Sequence, residues 1–144
     1  MTDWERARNL LKDGSYTCVL CRGEVLHTST KRGVAPLVDW IDLGADLHGC
    51  SAADKIVGKA AALLFVLAGV KAVYAPVMSR EATQVFSRYG ILYECDTTCE
   101  GIINRLGTGS CPMEQAVRDI EEPMKALEAV RRTMEQLRSK QEGK

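Results

Sequence analysis

The chain has 144 residues, 46% of them hydrophobic, which is enough for one domain with a buried core that needs no staples. Its 19 basic and 19 acidic side chains cancel, so no whole-molecule field favours general nucleic-acid binding or an anionic membrane surface. The longest apolar run, Ala60 to Ala68, is too short to span a bilayer, and no basic start with an apolar run follows Met1, so a cytoplasmic location is expected.

Thr2 and Glu5 form a capping box ahead of Leu10 and Leu11, predicting a first helix that ends at Asp13-Gly14. Tyr16 to Cys21 and Glu24 to Thr28 read as the strands of an antiparallel hairpin flanking Arg22-Gly23. Cys18 and Cys21 have the spacing of a metal knuckle, but on a strand positions three apart point to opposite faces. The six cysteines include no tandem knuckles, so reduced thiols and no bound metal are expected. Thr30-Lys31-Arg32-Gly33 is a basic loop, and a short helix follows from about Ala35 to Leu43 with Pro36 in its first turn.

Gly49 to Gly69 reads as one long helix, apolar nearly all round in its second half. Ser51, Lys55 and Lys59 recur every fourth residue, which stacks them on one face near the positive end of the helix dipole. Like charges at that spacing and cations at that end each cost about 0.3 kcal/mol, so an anionic ligand is expected to favour them. The N–H groups of Ala52 to Asp54, the Ser51 hydroxyl and one or both lysines would converge on a phosphate. Pairing of Asp54 with a lysine is the plainer alternative. Gly58, read as mid-helix at a cost of roughly 1 kcal/mol against alanine, marks close approach of another backbone or a ligand, or tight helix–sheet packing. Lys55 is also a candidate nucleophile toward an aldehyde or a ribose C1.

Val70 to Ala75 reads as a buried strand ended by Pro76. Ser79 with Ala82 marks the start of a helix through Tyr89-Gly90, and Ile91 to Cys95 is a further strand. A helix linking two strands of one sheet, twice in succession, predicts parallel pairing beside the hairpin. The expected fold is therefore α/β, three layers with a mixed sheet and helices on both faces. A helical turn or two from Thr98 to Leu106 leads into Gly107-Thr108-Gly109-Ser110 and a helical region from Pro112 onward. That loop is neither a Walker loop nor a dinucleotide fingerprint. Cys111 falls at the N-cap with Glu114 in capping-box range, a second candidate nucleophile at a helix start. His27 and His48 have no triad partners nearby in sequence. Met124, Leu127, Val130, Met134 and Leu137 form the stripe of an amphipathic helix begun by Pro123, which packs on its own domain or pairs with a second copy as a homodimer. Residues 1–120 are read as the main domain, 121–144 as this helix and its tail, with Ser139 to Lys144 disordered.

The element order resembles the cytidine-deaminase-like fold, whose motif helix follows a hairpin and carries His-Ala-Glu, and whose next strand runs into Pro-Cys-x-x-Cys. Ala52-Ala53-Asp54 stands where His-Ala-Glu would begin the helix, and Tyr74-Ala75-Pro76-Val77-Met78-Ser79-Arg80 where the second motif would be. The ligand slots then hold Ala52, Val77 and Arg80, none of which binds zinc, so the resemblance does not carry zinc-dependent deamination with it. Over roughly residues 1 to 120 the chain is similar to a small bacterial family, the domain of unknown function numbered 1893. Ser51-Ala52-Ala53-Asp54-Lys55-Ile56-Val57-Gly58-Lys59-Ala60 and Gly107-Thr108-Gly109-Ser110-Cys111-Pro112-Met113-Glu114 carry that similarity. It implies the fold and no assigned activity. Together these readings point to a metal-free domain, without a cofactor, that binds a nucleotide or ADP-ribose-like anion. Its candidate ligand-binding residues are Ser51, Lys55, Lys59, Met78, Arg80 and Glu114; Lys55, Cys111 and Asp54 are the catalytic candidates.

Overall fold

The structure is a computed structural model describing residues 1–102 and 111–142. The Thr2 hydroxyl accepts the Glu5 amide at 3.1 Å and starts helix α1, Asp3–Asp13, where the capping box places it. Strands β1 (Cys18–Arg22) and β2 (Val25–Ser29) form the expected hairpin. Its turn is Gly23-Glu24, one residue later than expected, because the left-handed bend at φ +59° falls on the glycine. Helix α2 follows at Ala35–Asp42.

The long helix expected from Gly49 to Gly69 does not form. Ser51–Asp54 is strand β3, Ile56–Val57 is strand β4, and helix α3 begins only at Lys59 and runs to Ala68. Every residue of β3 is buried, antiparallel to β1 on one side and parallel to strand β5 (Ala72–Ser79) on the other. Its small residues favour a helix locally; a central position in the sheet overrides that preference. Ser51, Lys55 and Lys59 therefore share no helix face, and the correspondence of Ala52-Ala53-Asp54 with the start of a motif helix fails with it.

Strand β5 also runs on past Pro76, where it was expected to stop. Ala53 pairs with Tyr74 and Ile56 with Val77 at one constant offset, so β3 and β4 are a single line interrupted opposite Pro76, whose ring supplies no N–H to the ladder. Helix α4 (Arg80–Tyr89) is capped by Ser79, whose hydroxyl accepts the Ala82 amide at 3.1 Å as expected. Strand β6 (Leu92–Cys99) lies parallel to β5 and extends through Thr98 and Cys99, where a helical turn was expected to begin. The rest of that turn and the Gly107-to-Ser110 loop fall mostly or wholly outside the described residues. The helical region from Pro112 is two helices, α5 (Pro112–Ala116) and α6 (Pro123–Glu142), so residues 139–142 are helical where disorder was expected.

The result is an open, mixed six-stranded sheet between two helical layers. Helix α1 covers one face, with Ala7 and Leu11 against Val19, Ala53 and Tyr74. The main core lies on the other, where Leu37, Leu63, Leu64, Phe65, Phe86 and Val130 meet. Cys18 belongs to the second core and Cys21 to the first, as strand periodicity requires. Helix α6 lays Ala126, Leu127 and Val130 into the core against α3, so most of its apolar stripe is used within its own chain. No helix among the described residues is long and apolar enough to cross a membrane.

Candidate functional site

A cleft of about 770 Å³ opens beyond the carboxyl end of the β3–β4 line. Ligands of open α/β sheets bind at such strand ends, and the volume lies in the range of small-molecule sites. One wall is the loop and first turn of α2, from Arg32 to Ala35; the other is α5, from Cys111 to Glu114. Gly58, Ala60 and Ala61 of α3 line it, and Met134 and Leu137 of α6 close one side with apolar surface.

Glu114 sets the geometry of this region. Its carboxylate accepts the backbone N–H of Lys59 at 2.7 Å through Oε1 and that of Ala60 at 2.9 Å through Oε2. These are orphan donors of the first turn of α3, so a side chain from α5 caps α3 across the cleft. The capping box expected within α5 does not form, and Cys111, though at the N-cap, makes no side-chain cap bond. Gly58 is the N-cap of α3 and not a mid-helix residue. A Cβ there would stand 2.3 Å from Glu114 Oε1, so the close approach expected at Gly58 is that of this carboxylate. Burial raises the Glu114 carboxyl above the usual range, outweighing the two amides that favour its charge.

Asp54 ends β3 at 5% exposure and faces the cleft. It makes no ion pair among the described residues. Burial pushes its carboxyl up to about 8, with the Lys55 backbone N–H offsetting a part. Cys18, opposite it on β1, has its thiol raised well above the ordinary value by burial and then by Asp54. Arg32 and Lys55 are exposed residues of the cleft lining, and the Lys55 side chain reaches toward α1. Arg32 has no ion pair among the described residues, and the Lys55 ammonium has only a 3.5 Å contact with the Leu11 carbonyl.

Four candidates named from the sequence thus line one cleft: Asp54, Lys55, Cys111 and Glu114. Four do not. Ser51 is fully buried, on the α1 side of the sheet with Ala53, and its hydroxyl has no partner among the described residues. Met78 is fully buried in the main core, and Arg80 pairs on the surface with Glu100 at 2.6 Å. Lys59 is 4% exposed and turned away, donating to the Arg118 carbonyl at 2.9 Å and to Glu121 at 3.3 Å. Arg88 and then Lys59 hold the Glu121 carboxyl below its usual range. Sequence reasoning missed Arg32 and Thr17 as lining residues; the basic loop directly ahead of the Pro36 helix is the signal that marks the first. Among the described residues no three His, Cys, Asp or Glu side chains come together as a metal set.

A family model described as TM1506, domain of unknown function (DUF1893), matches residues 6–134. The chain belongs to the DUF1893 family. A crystal structure of a DUF1893 family protein (TM1506) from Thermotoga maritima at 2.70 Å resolution aligns with a TM-score of 0.80 and 23% identity, covering 94% of this chain and 91% of that one. At that identity the likeness establishes a shared fold. None of the curated proteins matches. The span matched to DUF1893 takes in every cleft residue named above except Leu137.

Lys59 supplies a direct check on this assignment of roles. Lys59→Met keeps the stem but removes the donor to Arg118 and Glu121, and is expected to lower stability by about 2 kcal/mol in urea unfolding. A variant of full stability would contradict this buried, hydrogen-bonded role for Lys59.

Proposed function

We propose that the cleft binds a nucleotide or ADP-ribose-like ligand, with its phosphate at the mouth on Arg32 and Lys55 and its base in the apolar interior. The observation that carries this reading is the exposed Arg32 beside an apolar wall of Val34, Ala60 and Met134 that ends at Asp54, with Lys55 next to it held only by a 3.5 Å contact with the Leu11 carbonyl. A phosphate matches the mouth, and a flat ring matches the interior. The start of α3, where the sequence points for the anion, is already filled by the Glu114 carboxylate, so the phosphate belongs elsewhere. Laid on the element order of the deaminase-like fold, the helix after the hairpin is α2 and the next strand runs into Gly58 and Lys59. The cleft lies between those two helix starts, and neither carries a zinc ligand set.

The test is ligand-induced thermal stabilisation across AMP, CMP, ADP and ADP-ribose. Binding raises the melting temperature in proportion to RT ln(1 + [L]/Kd), and Arg32→Ala with Lys55→Ala is expected to weaken it at least tenfold. No shift with any of the four contradicts the reading. A covalent variant of this function is favoured by one finding, that Lys55 and Cys111 line the same cleft. A Lys55 amine condensing with a ribose aldehyde would release water and leave an imine. Intact mass after incubation with ADP-ribose and borohydride distinguishes it: an adduct lost in Lys55→Ala supports the enzyme, and an unmodified chain supports simple binding.

A further inference from the structure

The most buried polar side chain among the described residues of the cleft lining is the one with the least provision for a charge. Asp54 is nearly sealed, and among the described residues its neighbours leave it without a cation. Cys18 faces it from β1, Glu114 and Cys111 line the same cleft from α5, and Lys59 of α3 is turned to Arg118 and Glu121. Lys55, next in sequence, directs its ammonium toward the Leu11 carbonyl, and Arg32 stands exposed at the mouth. A side chain so placed is held as a neutral acid, which offers one O–H donor and one C=O acceptor side by side.

Resting on the nucleotide reading above, we infer that Asp54 is a base-recognition residue: as a neutral carboxylic acid it forms two hydrogen bonds with an amidine-type edge, a ring nitrogen beside an amino group, as in adenine or cytosine. The ring nitrogen accepts the Asp54 O–H, and the amino group donates to its carbonyl oxygen. An ionised carboxylate would oppose the ring nitrogen's lone pair, so ligand affinity and the protonation of Asp54 are linked. An asparagine at this position keeps one donor and one acceptor and cannot ionise.

The experiment is calorimetric titration of AMP, with ribose 5-phosphate as the ligand lacking a base, at pH 7 and pH 9. Both phosphates are already about nine-tenths doubly ionised at pH 7 and change little above it, whereas Asp54, at about 8, passes from mostly neutral to mostly charged. For the wild type, AMP affinity is expected to fall about tenfold between the two pH values, with ribose 5-phosphate changing less than twofold. Asp54→Asn should bind AMP within threefold of wild type at pH 7 and show no fall at pH 9. Asp54→Ala should lose at least tenfold for AMP at pH 7 and nothing for ribose 5-phosphate. AMP binding that is flat with pH, or Asp54→Asn as weak as Asp54→Ala, overturns the inference while leaving the nucleotide reading in place. Failure of AMP to bind at either pH overturns the inference, and failure of CMP, ADP and ADP-ribose as well overturns both.

Discussion

Alanine at position 58 is expected to lower the unfolding free energy by about 3 kcal/mol, an unusual cost for adding one methyl group at a helix N-cap. The backbone is not the cause, because φ −104° at Gly58 is open to any residue. The added Cβ would stand 2.3 Å from Oε1 and 2.6 Å from Cδ of Glu114, and 2.8 Å from Ile102 Cγ1. Glu114 can withdraw, but only by releasing the Lys59 and Ala60 amides. Two charge-assisted bonds at about 1.5 kcal/mol each account for the loss, and the reduced freedom of the unfolded chain returns about 0.5 kcal/mol. Glu114→Ala should cost a similar amount by itself. In that background Gly58→Ala should be nearly neutral, giving a coupling of about 3 kcal/mol in a double-mutant cycle read by urea unfolding. Costs that simply add would assign the clash to Ile102 and remove Glu114 from its capping role.

Asp54→Asn is expected to stabilise the protein by about 3 kcal/mol at pH 7 and to change little at pH 4. Burial raises the Asp54 carboxyl from 3.8 to about 8 in the folded state. Between those values the fold keeps a proton that the unfolded chain gives up, so the stability contributed by this group is complete below about pH 4 and drains away as pH rises toward 8. Each pH unit in that window costs about 1.4 kcal/mol, or about 4 kcal/mol by pH 7, part of which asparagine returns as the cost of its own burial. Urea unfolding of both proteins at pH 4.5 and pH 7.5 separates the contributions. A stability difference that does not grow with pH would show that Asp54 is ionised in the fold. A natural sequence that keeps this cost at the floor of a cleft fits a functional role for the residue.

The parts of the fold legible in the sequence were those written in local chemistry. Thr2 with Glu5, Ser79 with Ala82, and the prolines at 112 and 123 all mark helix starts because the groups that satisfy the first turn lie within a few residues. β3 was not legible, because Ser51-Ala52-Ala53-Asp54 carries no β-branched residue and becomes a strand only through β1 and β5 on either side. That single misreading put Ser51 and Lys59 into one site, whereas the sheet turns the first toward α1 and Arg118 with Glu121 draws the second away. Glu114 was recognised as a capping residue but assigned to its own helix, since nothing local announces a partner 55 positions earlier. The raised carboxyl of Asp54 is likewise a product of burial, which spacing does not encode. What the sequence did identify was chemistry out of place: Asp54, Lys55, Cys111 and Glu114 come from two separate stretches and meet in one cleft.

The position of a bound phosphate decides the account most directly. A crystal structure of the protein soaked with AMP is predicted to show the phosphate within hydrogen-bond distance of Arg32 and Lys55, the adenine against Asp54, and Glu114 still on the Lys59 and Ala60 amides. A phosphate seated on those two amides with Glu114 displaced, or a nucleotide bound outside the cleft, would contradict it.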